Sequence, residues 1–224
     1  MRYGKVVQGR FLSRPNRFIA LVEINGAETV CHVKNTGRCR ELLRPGAAVY
    51  LERSENPARR TAFDLIAVDK DGLLVNMDAQ APNRVFGEFA RTFDSTAVDV
   101  KPEFVYGASR LDFCLTTPAG LHLVEVKGVT LEDGGAARFP DAPTERGVKH
   151  IRELQRAAEA GLDTTLFFVV QFQDAYSVSP NDVTHPAFGE ALREATAHGV
   201  NVCAYDCLVT PDSLSIRREV PVIL

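Results

Sequence analysis

The sequence of 224 residues contains no tryptophan and no apolar run near the roughly 20 residues that a membrane-spanning helix needs. Its longest uninterrupted apolar runs have five residues, and one of them, Leu166–Val170, ends at Gln171. The first residues carry charge without a following apolar stretch, so we expect no secretory signal. The five cysteines have neither the even number nor the spacing of a disulfide framework, which indicates a reducing compartment. These absences predict a cytoplasmic protein that does not enter a membrane.

Charge is unevenly distributed along the chain, although the formal net charge is only −3. Residues 1–60 contain 12 Lys and Arg against 5 Asp and Glu, whereas residues 81–224 contain 13 against 20. A basic surplus confined to one region is typical of a surface that binds a polyanion. An ordinary solvated surface explains the same surplus equally well.

The first 76 residues have the pattern of a small β-barrel. Apolar and polar residues alternate over short segments, and Asn25-Gly26 and Asp71-Gly72 supply turns. A short helix over Arg38–Leu43 is stopped by Pro45-Gly46. This pattern predicts an OB-like barrel over residues 1–78. The predicted strands are Gly4–Leu12, Arg17–Ile24, Glu28–Lys34, Ala47–Arg53, Ala62–Val68 and Leu73–Asn76.

Residues 79–224 have the mixed pattern of an α/β domain. Val85, Phe86, Phe89 and Phe93 recur at helical spacing, and later helices end at glycines. The chain is therefore predicted to have two domains, of the α+β or α/β class. The predicted helices are Pro82–Phe93, Thr144–Ala160 and His185–His198. The predicted strands are Ser109–Thr116, Leu121–Val126, Thr165–Phe172 and Val200–Tyr205.

Two consecutive predicted strands bring together two carboxylates and a lysine. Side chains alternate along a strand, so Glu125 and Lys127 share one face. A register that pairs Thr116 with Leu121 also places Asp112 opposite Glu125. That register gathers apolar side chains on the other face, and we prefer it for this reason. These side chains are Leu111, Phe113, Leu115, Val124 and Val126.

The spacing of Asp112 and Glu125 has two explanations. Neighbouring carboxylates repel each other unless a cation or a proton lies between them. Mg²⁺ or Mn²⁺ bound by both carboxylates could activate water against a phosphodiester, while Lys127 stabilises the phosphate. A surface ion network of Asp, Lys and Glu accounts for the same spacing.

Several strings of residues resemble known proteins. Asp112-x12-Glu125-x-Lys127 resembles the motif of the PD-(D/E)XK nuclease superfamily. The strings NTGR (35–38), YGASRLDF (106–113), VEVKGVTL (124–131), FPDAPTERGVKHIREL (139–154) and the final REVPVIL resemble the sugar fermentation stimulation protein A (SfsA) family. The second resemblance covers nearly the whole chain.

This resemblance implies an OB-like barrel joined to a nuclease-like domain, DNA binding, and a regulatory link to sugar catabolism. The metal-binding carboxylates of the superfamily correspond to Asp112 and Glu125, and its lysine corresponds to Lys127. A further glutamate on the preceding helix corresponds best to Glu88, with Glu103 as a weaker match.

The helix after the loop supplies further candidates for the site. In nucleases of this type the equivalent helix flanks the active site, so the resemblance makes Lys149 and His150 candidate catalytic residues. Its polar face also carries Arg146 and Arg152, which we assign to nucleic-acid contacts. The apolar stripe of the same helix predicts an ordinary packing role for the rest of its residues.

Five residues of the barrel are candidate nucleic-acid contacts. Arg14 and Arg17 flank a Pro-Asn loop and could reach the phosphate backbone. Asn35, Thr36 and Arg38 belong to NTGR, whose predicted helix would leave N–H groups free for a phosphate. Thr36 serves equally well as a helix N-cap.

Aromatic side chains that could stack on bases are few. The candidates in the barrel are Phe11, Phe18, Tyr3 and Tyr50. Among these, Phe18 fits a core position better than a stacking surface.

The sequence supports two functions. The first is a DNA-binding, Mg²⁺-dependent phosphodiesterase, because the carboxylate and lysine set is complete. The alternative is a non-catalytic DNA-binding regulator of sugar (maltose) metabolism that keeps only the nuclease fold. The residues do not distinguish DNA from RNA as the substrate.

Overall fold

The N-terminal region forms a closed β-barrel in the computed structural model, which describes residues 1–35 and 37–224. Its strands are β1 (Val6–Asn16), β2 (Ile19–Ile24), β3 (Ala27–Val33), β4 (Ala48–Arg53), β5 (Phe63–Lys70) and β6 (Leu73–Asn76). The order β3-β2-β1-β4-β5 is closed by parallel pairing of β3 with β5, and β6 continues from β5. The predicted OB-like barrel is confirmed.

The predicted α/β domain follows and is also confirmed. The strands of its main sheet are β7 (Asp99–Tyr106), β8 (Ser109–Thr117), β9 (Gly120–Val129), β12 (Asp163–Val170), β14 (Asn201–Thr210) and β15 (Ser213–Val220). They have the order β15-β14-β12-β9-β8-β7, with β12 parallel to β9 and β14. A small second sheet contains β10 (Leu131–Asp133), β11 (Ala136–Phe139) and β13 (Ser177–Pro180).

Helices cover both faces of the main sheet. They are α1 (Ala81–Phe93), α2 (Glu145–Glu159) and α3 (Pro186–Ala197). Phe86 of α1 packs against Phe113 and Phe167 at ring-centroid distances of 4.9 and 4.8 Å. The apolar sides of α2 and α3 belong to a different core cluster, on the opposite face. Among the residues that the structure describes, no helix is long and apolar enough to cross a membrane.

The edge strands β7 and β15 were not predicted from the sequence. Five of the eight residues of β7 and four of the eight residues of β15 are exposed, so the alternation of apolar and polar residues that reveals a strand is weak. In β7, Pro102 is followed by Glu103 with a φ of 53°. Proline within a strand is tolerated mainly at sheet edges, which is where β7 lies.

The short helix predicted over Arg38–Leu43 is wrong, because the described residues form turns there. Cys39 has a φ of 44°, which a right-handed helix does not accommodate. The Arg14 guanidinium also binds the carbonyls of Gly37 and Arg38, both at 2.9 Å. Residues 37–43 therefore do not form the helix on which the predicted phosphate contact of NTGR depended.

Phe18 and Thr36 belong to the barrel region and were both assigned roles from the sequence. Phe18, expected in the core, is 45% exposed, because it lies in the turn before β2 rather than on the inner face of a strand. Thr36, a candidate phosphate contact, lies outside the described residues.

The five cysteines of the chain are free thiols and buried.

A buried polar network joins the barrel to the α/β domain. The backbone N–H of Asn76 donates to the carbonyl of Gln171 at 2.8 Å. The Gln171 side-chain amide donates to the Asn76 side chain at 2.9 Å and to the Asp78 carbonyl at 3.0 Å. Asn76 in turn donates to the Tyr3 hydroxyl at 2.8 Å. These bonds fix the position of α1, which begins three residues after Asp78.

Asp64 is the centre of a second network, inside the barrel wall. Its carboxylate accepts two hydrogen bonds from Arg59, at 2.6 and 2.7 Å, and one from His32 at 2.8 Å. Lys34 lies 3.5 Å away. Burial acts to raise the pKa of Asp64, but these partners outweigh it and lower the pKa from 3.8 to about 2.

We predict that Asp64→Asn lowers the free energy of unfolding at pH 7 by ~2 kcal/mol, because the folded state holds this carboxylate ionised. A depressed pKa contributes stability above the unfolded value of 3.8 and loses it as pH falls towards about 2. The difference between the wild type and Asp64→Asn should therefore shrink over this interval. Urea unfolding at a series of pH values measures it.

Asp71→Asn is the control for this experiment, because Asp71 is exposed and its surface pair with Arg44 contributes little. It should unfold like the wild type across the same pH range. Parallel loss of stability in the wild type and in Asp64→Asn between pH 4 and 2 would contradict the assignment.

Candidate active site

The hairpin of β8 and β9 has the predicted register. Thr116 pairs with Leu121 and Phe113 pairs with Val124, and the ladder ends at that pair. Beyond it, the Asp112 Oδ2 atom accepts the backbone N–H of Val126 at 2.8 Å. A side-chain carboxylate thus replaces a main-chain acceptor where the two strands separate.

The strand β8 changes its packing at Asp112, which corrects one prediction. Leu111 joins the core cluster beneath α2, whereas the other four apolar residues of the predicted face join the cluster beneath α1. The pairing of β7 with β8 skips the position of Glu103, whose left-handed φ bends the edge strand opposite Asp112. The bend allows Leu111 to pack on the opposite face.

Glu125 is 1% exposed, and the described residues give only one of its two carboxylate oxygens a hydrogen-bond partner. Its Oε1 atom accepts from Lys127 Nζ at 2.5 Å and from Nδ1 of His150. Its Oε2 atom is buried with no hydrogen-bond partner in the described part of the chain. Burial acts to raise the pKa of Glu125, but His150 and Lys127 outweigh it and hold the pKa below its ordinary value.

Asp112 lies close enough to Glu125 for the two carboxylates to interact. Burial raises the pKa of Asp112 above its ordinary value, and the negative charge of Glu125 adds to this effect. The Asn83 side-chain amide donates to Asp112 Oδ1 at 2.8 Å. Asn83 lies in the first turn of α1, so the start of this helix orients the carboxylate.

The helix α2 brings His150 into the cluster and leaves Lys149 at its edge. His150 is buried, and its Nε2 atom accepts from Arg146 Nε at 3.4 Å, so Nδ1 carries the proton donated to Glu125. Lys149 is exposed and donates to the carbonyl of Ala108 at 3.2 Å. The Thr144 hydroxyl caps the helix by accepting the N–H of Gly147 at 3.1 Å.

Neither predicted glutamate joins the cluster. Glu88 is 61% exposed and lies 2.6 Å from the Met1 amino group. It is five residues after Asn83 on α1, about 140° around the helix, and so faces elsewhere. Glu103 is exposed and lies 3.7 Å from Arg110. Asn83 is the α1 residue that donates a hydrogen bond to Asp112. The only sequence signal for it was its position directly after Pro82 at the predicted start of the helix.

The barrel candidates have different roles in the structure. Arg14, predicted to contact phosphate, directs its guanidinium to four backbone carbonyls and braces two loops. The Asn35 side chain accepts the N–H of Gly37 at 2.8 Å. Arg17 and Arg38 are exposed and close to this brace.

Arg152, a predicted nucleic-acid contact, lies away from the cluster. It is two residues after His150, about 200° around α2, so it faces the other side of the helix. There it lines a surface cleft with Gln155, Arg156, Glu159 and Glu194.

The donor set of the cluster fits a divalent cation that prefers oxygen. Within the described residues, no three or more His, Cys, Asp and Glu side chains are already arranged so that they could hold a metal ion. Asp112 and Glu125 supply two carboxylates, and Oε2 of Glu125 is a buried lone-pair donor without a partner. Mg²⁺ is commonly held by one or two carboxylates, with water and phosphate as its other ligands. The site therefore suits Mg²⁺ or Mn²⁺.

A cleft of roughly 350 Å³ lies between the barrel and the α/β domain, and its lining includes the chain neighbours of Asn83 and Lys127 but not the cluster side chains themselves. Asn35 and Gly37 line it from the barrel, and Pro82, Gly128 and Thr144 line it from the α/β domain. Gly128 directly follows Lys127. A Cβ atom there would lie 2.5 Å from atoms of both Pro82 and Gln171, so only glycine fits.

The chain resembles known proteins over nearly its whole length. Family models described as the SfsA N-terminal OB domain and the sugar fermentation stimulation protein RE domain match residues 12–77 and 80–213. Two proteins named sugar fermentation stimulation protein homolog, from Clostridium beijerinckii and Desulfitobacterium hafniense (strain Y51), are 49% and 51% identical. They cover 100% of this chain and 100% and 99% of their own.

A solved structure described as Pyrococcus furiosus SfsA in complex with Ca²⁺ is 26% identical, with a TM-score of 0.90. The match covers 100% of this chain and 98% of that chain. Both domains and the whole length of the chain thus match proteins of one kind. The chain belongs to the sugar fermentation stimulation protein (SfsA) family.

Proposed function

We propose that this protein is a divalent-metal-dependent phosphodiesterase that acts on DNA. The observation that carries the proposal is the buried carboxylate of Glu125. One of its oxygens is held by Lys127 and His150, and the other has no partner in the described chain. Asp112 lies beside it with its own orientation fixed by Asn83 and Val126.

Asp112 and Glu125 would hold the metal ion. When bound, Mg²⁺ or Mn²⁺ supplies charge neutralisation at the phosphate and lowers the pKa of a bound water. The Pyrococcus furiosus relative is described as a complex with Ca²⁺, which also prefers oxygen ligands. This description supports a cation site in the family, and the carboxylates of the present chain provide suitable donors.

The other residues of the cluster orient the two carboxylates and contribute charge. Lys127 places an ammonium group next to Glu125, where it can donate to a non-bridging phosphate oxygen. His150 links Glu125 to Arg146 and holds Oε1, and Oε2, which has no partner in the described chain, would serve as the metal ligand. Asn83 fixes the rotation of the Asp112 carboxylate.

The nucleic acid would contact both domains. The basic surplus of residues 1–60 lies in the barrel. The cleft between the domains is lined by Gly128, the residue that follows Lys127 in the chain. The resemblance to nucleases indicates DNA as the substrate. The cleavage assay described below includes RNA as an alternative substrate. Five free buried thiols agree with a protein of the reducing cytoplasm.

A second candidate function is a DNA-binding regulator of sugar (maltose) metabolism that does not cut. The family description, sugar fermentation stimulation, favours a role in regulation. The described residues also lack a preassembled group of three metal-binding side chains. Cleavage assays distinguish the two functions.

We predict that Glu125→Ala abolishes Mg²⁺- or Mn²⁺-dependent cleavage while metal-free DNA binding stays equal or becomes tighter. The reason is that Glu125 presents negative charge to an incoming phosphate when no metal is bound. Lys127→Ala should also stop cleavage, but it removes an attractive charge and should weaken binding slightly. Gel assays with single-stranded, duplex and RNA substrates measure cleavage, and fluorescence anisotropy in EDTA measures binding.

Glu88→Ala is the matched control, since it removes a glutamate that lies outside the cluster. It should cleave like the wild type. If the wild type cuts no nucleic acid with any metal, and the Glu125 and Lys127 variants bind alike, the catalytic proposal fails and the regulatory one stands.

We also predict that Mg²⁺, Mn²⁺ or Ca²⁺ stabilises the protein against heat, because a ligand that binds only the folded state raises its stability by mass action. At a hundredfold excess over Kd, the gain of about 2.7 kcal/mol raises Tm by roughly 5–10 °C. Asp112→Asn and Glu125→Gln should lose this shift. Differential scanning fluorimetry checks it without any substrate.

Glu88→Gln should keep the full metal-induced shift. Equal shifts in Glu125→Gln and the wild type would place the cation elsewhere.

A further inference from the structure

An aromatic ring lies exposed at the start of β2. Phe18 is 45% exposed, and the Arg17 guanidinium lies 4.8 Å from its ring centroid. The Asn16 side chain accepts the N–H groups of Phe18 and Ile19, at 2.9 and 3.1 Å. The Phe18 carbonyl accepts the N–H of Val33 at 2.8 Å. The backbone that carries the ring is therefore fixed on both sides.

The outer face of the β2–β3 hairpin continues this apolar surface. Leu21 pairs with Val30, and Ile19 pairs with His32. Their neighbours on β2, such as Val22, point into the barrel core and are buried. Val30 is 50% exposed, so the apolar stripe that runs along β2 from Phe18 reaches solvent at the Leu21–Val30 pair.

Positive charge lies at the Phe18 end of this stripe. The Arg14 guanidinium binds the carbonyls of Arg17 at 2.8 Å and Arg38 at 2.9 Å, which holds the two loops side by side. The side chains of Arg17 and Arg38 are exposed. At the other end of the stripe, the Glu23 carboxylate forms an ion pair with Arg10 at 2.9 Å. Among the described residues, unpaired positive charge is therefore concentrated at the Phe18 end of the face.

We infer that this outer face of β2 and β3 is a platform for single-stranded nucleic acid, with a base stacked on Phe18. The phosphates would lie towards Arg17 and Arg38. Stacking on an aromatic ring requires an unpaired base, because a duplex keeps its base faces covered. This inference rests on the proposed function and names the form of its substrate.

The lack of tryptophan in the chain gives a direct test. Phe18→Trp creates a single indole at the platform, and a base stacked on it should quench its fluorescence. The titrant is an oligonucleotide of about 12 deoxythymidines, within the usual site size of an OB fold. EDTA in the buffer prevents cleavage, so this measurement stays separate from the phosphodiesterase assay.

Anisotropy with the labelled oligonucleotide gives the affinity. Phe18→Ala and Phe18→Leu should bind it roughly five- to a hundredfold more weakly, because both lose the π-face. Phe18→Trp should bind as well as the wild type or better. Tyr176→Ala, which removes an exposed aromatic ring from the α/β domain, is the matched control and should bind normally.

Each contrary outcome has a distinct meaning. Unchanged affinity in Phe18→Ala, or no quenching in Phe18→Trp, would overturn the inference even if the protein cuts DNA. Equal quenching by a duplex would overturn it too, as would a change in fluorescence with protein concentration alone, which indicates a second copy on this face. Quenching without any cleavage would leave the platform standing and reject the phosphodiesterase.

Discussion

The burial of Glu125 is the constraint on which most of the α/β domain depends. A buried carboxylate is costly unless charged or hydrogen-bonded groups compensate it. Lys127 on the same strand and His150 on α2 supply these groups. The arrangement fixes α2 over β9, and the N-terminal end of α2 lies beside the cleft to the barrel. Because compensation from the described residues reaches only one oxygen, the other would be available for the cation of the proposed function.

The second consequence concerns the strand that carries Asp112. Ordinary pairing would give the backbone N–H of Val126 a main-chain acceptor, but the Asp112 carboxylate takes that place. The two strands separate at this point, and Leu111 packs on the opposite side of the sheet from Phe113. The same departure from regular sheet geometry positions the acidic pair and divides the core between α1 and the helices of the other face.

Local patterns predicted the barrel, the main helices and the hairpin register, because each depends on alternation or helical spacing within a short segment. Glu88 and the helix over Arg38–Leu43 failed for a different reason. The rotation of α1 decides that Asn83 rather than Glu88 meets Asp112, and the distant Arg14 takes the carbonyls that a helix would use. Phe18 was predicted to lie in the core because the sequence contains no signal that distinguishes an aromatic residue in a turn from a buried one. These features depend on tertiary contacts, which periodicity does not contain.

The joining of the two domains has an electrostatic reason under the proposed function. Residues 81–224 contain 13 Lys and Arg against 20 Asp and Glu, so the α/β domain carries a negative charge. Its carboxylate pair adds further repulsion towards a phosphate backbone when no cation is bound. The barrel has the opposite balance, and the buried bonds of Asn76 and Gln171 hold it against the domain. Under the proposed function, attraction by the barrel would therefore hold a polyanion close to a carboxylate pair that repels it in the absence of a bound cation.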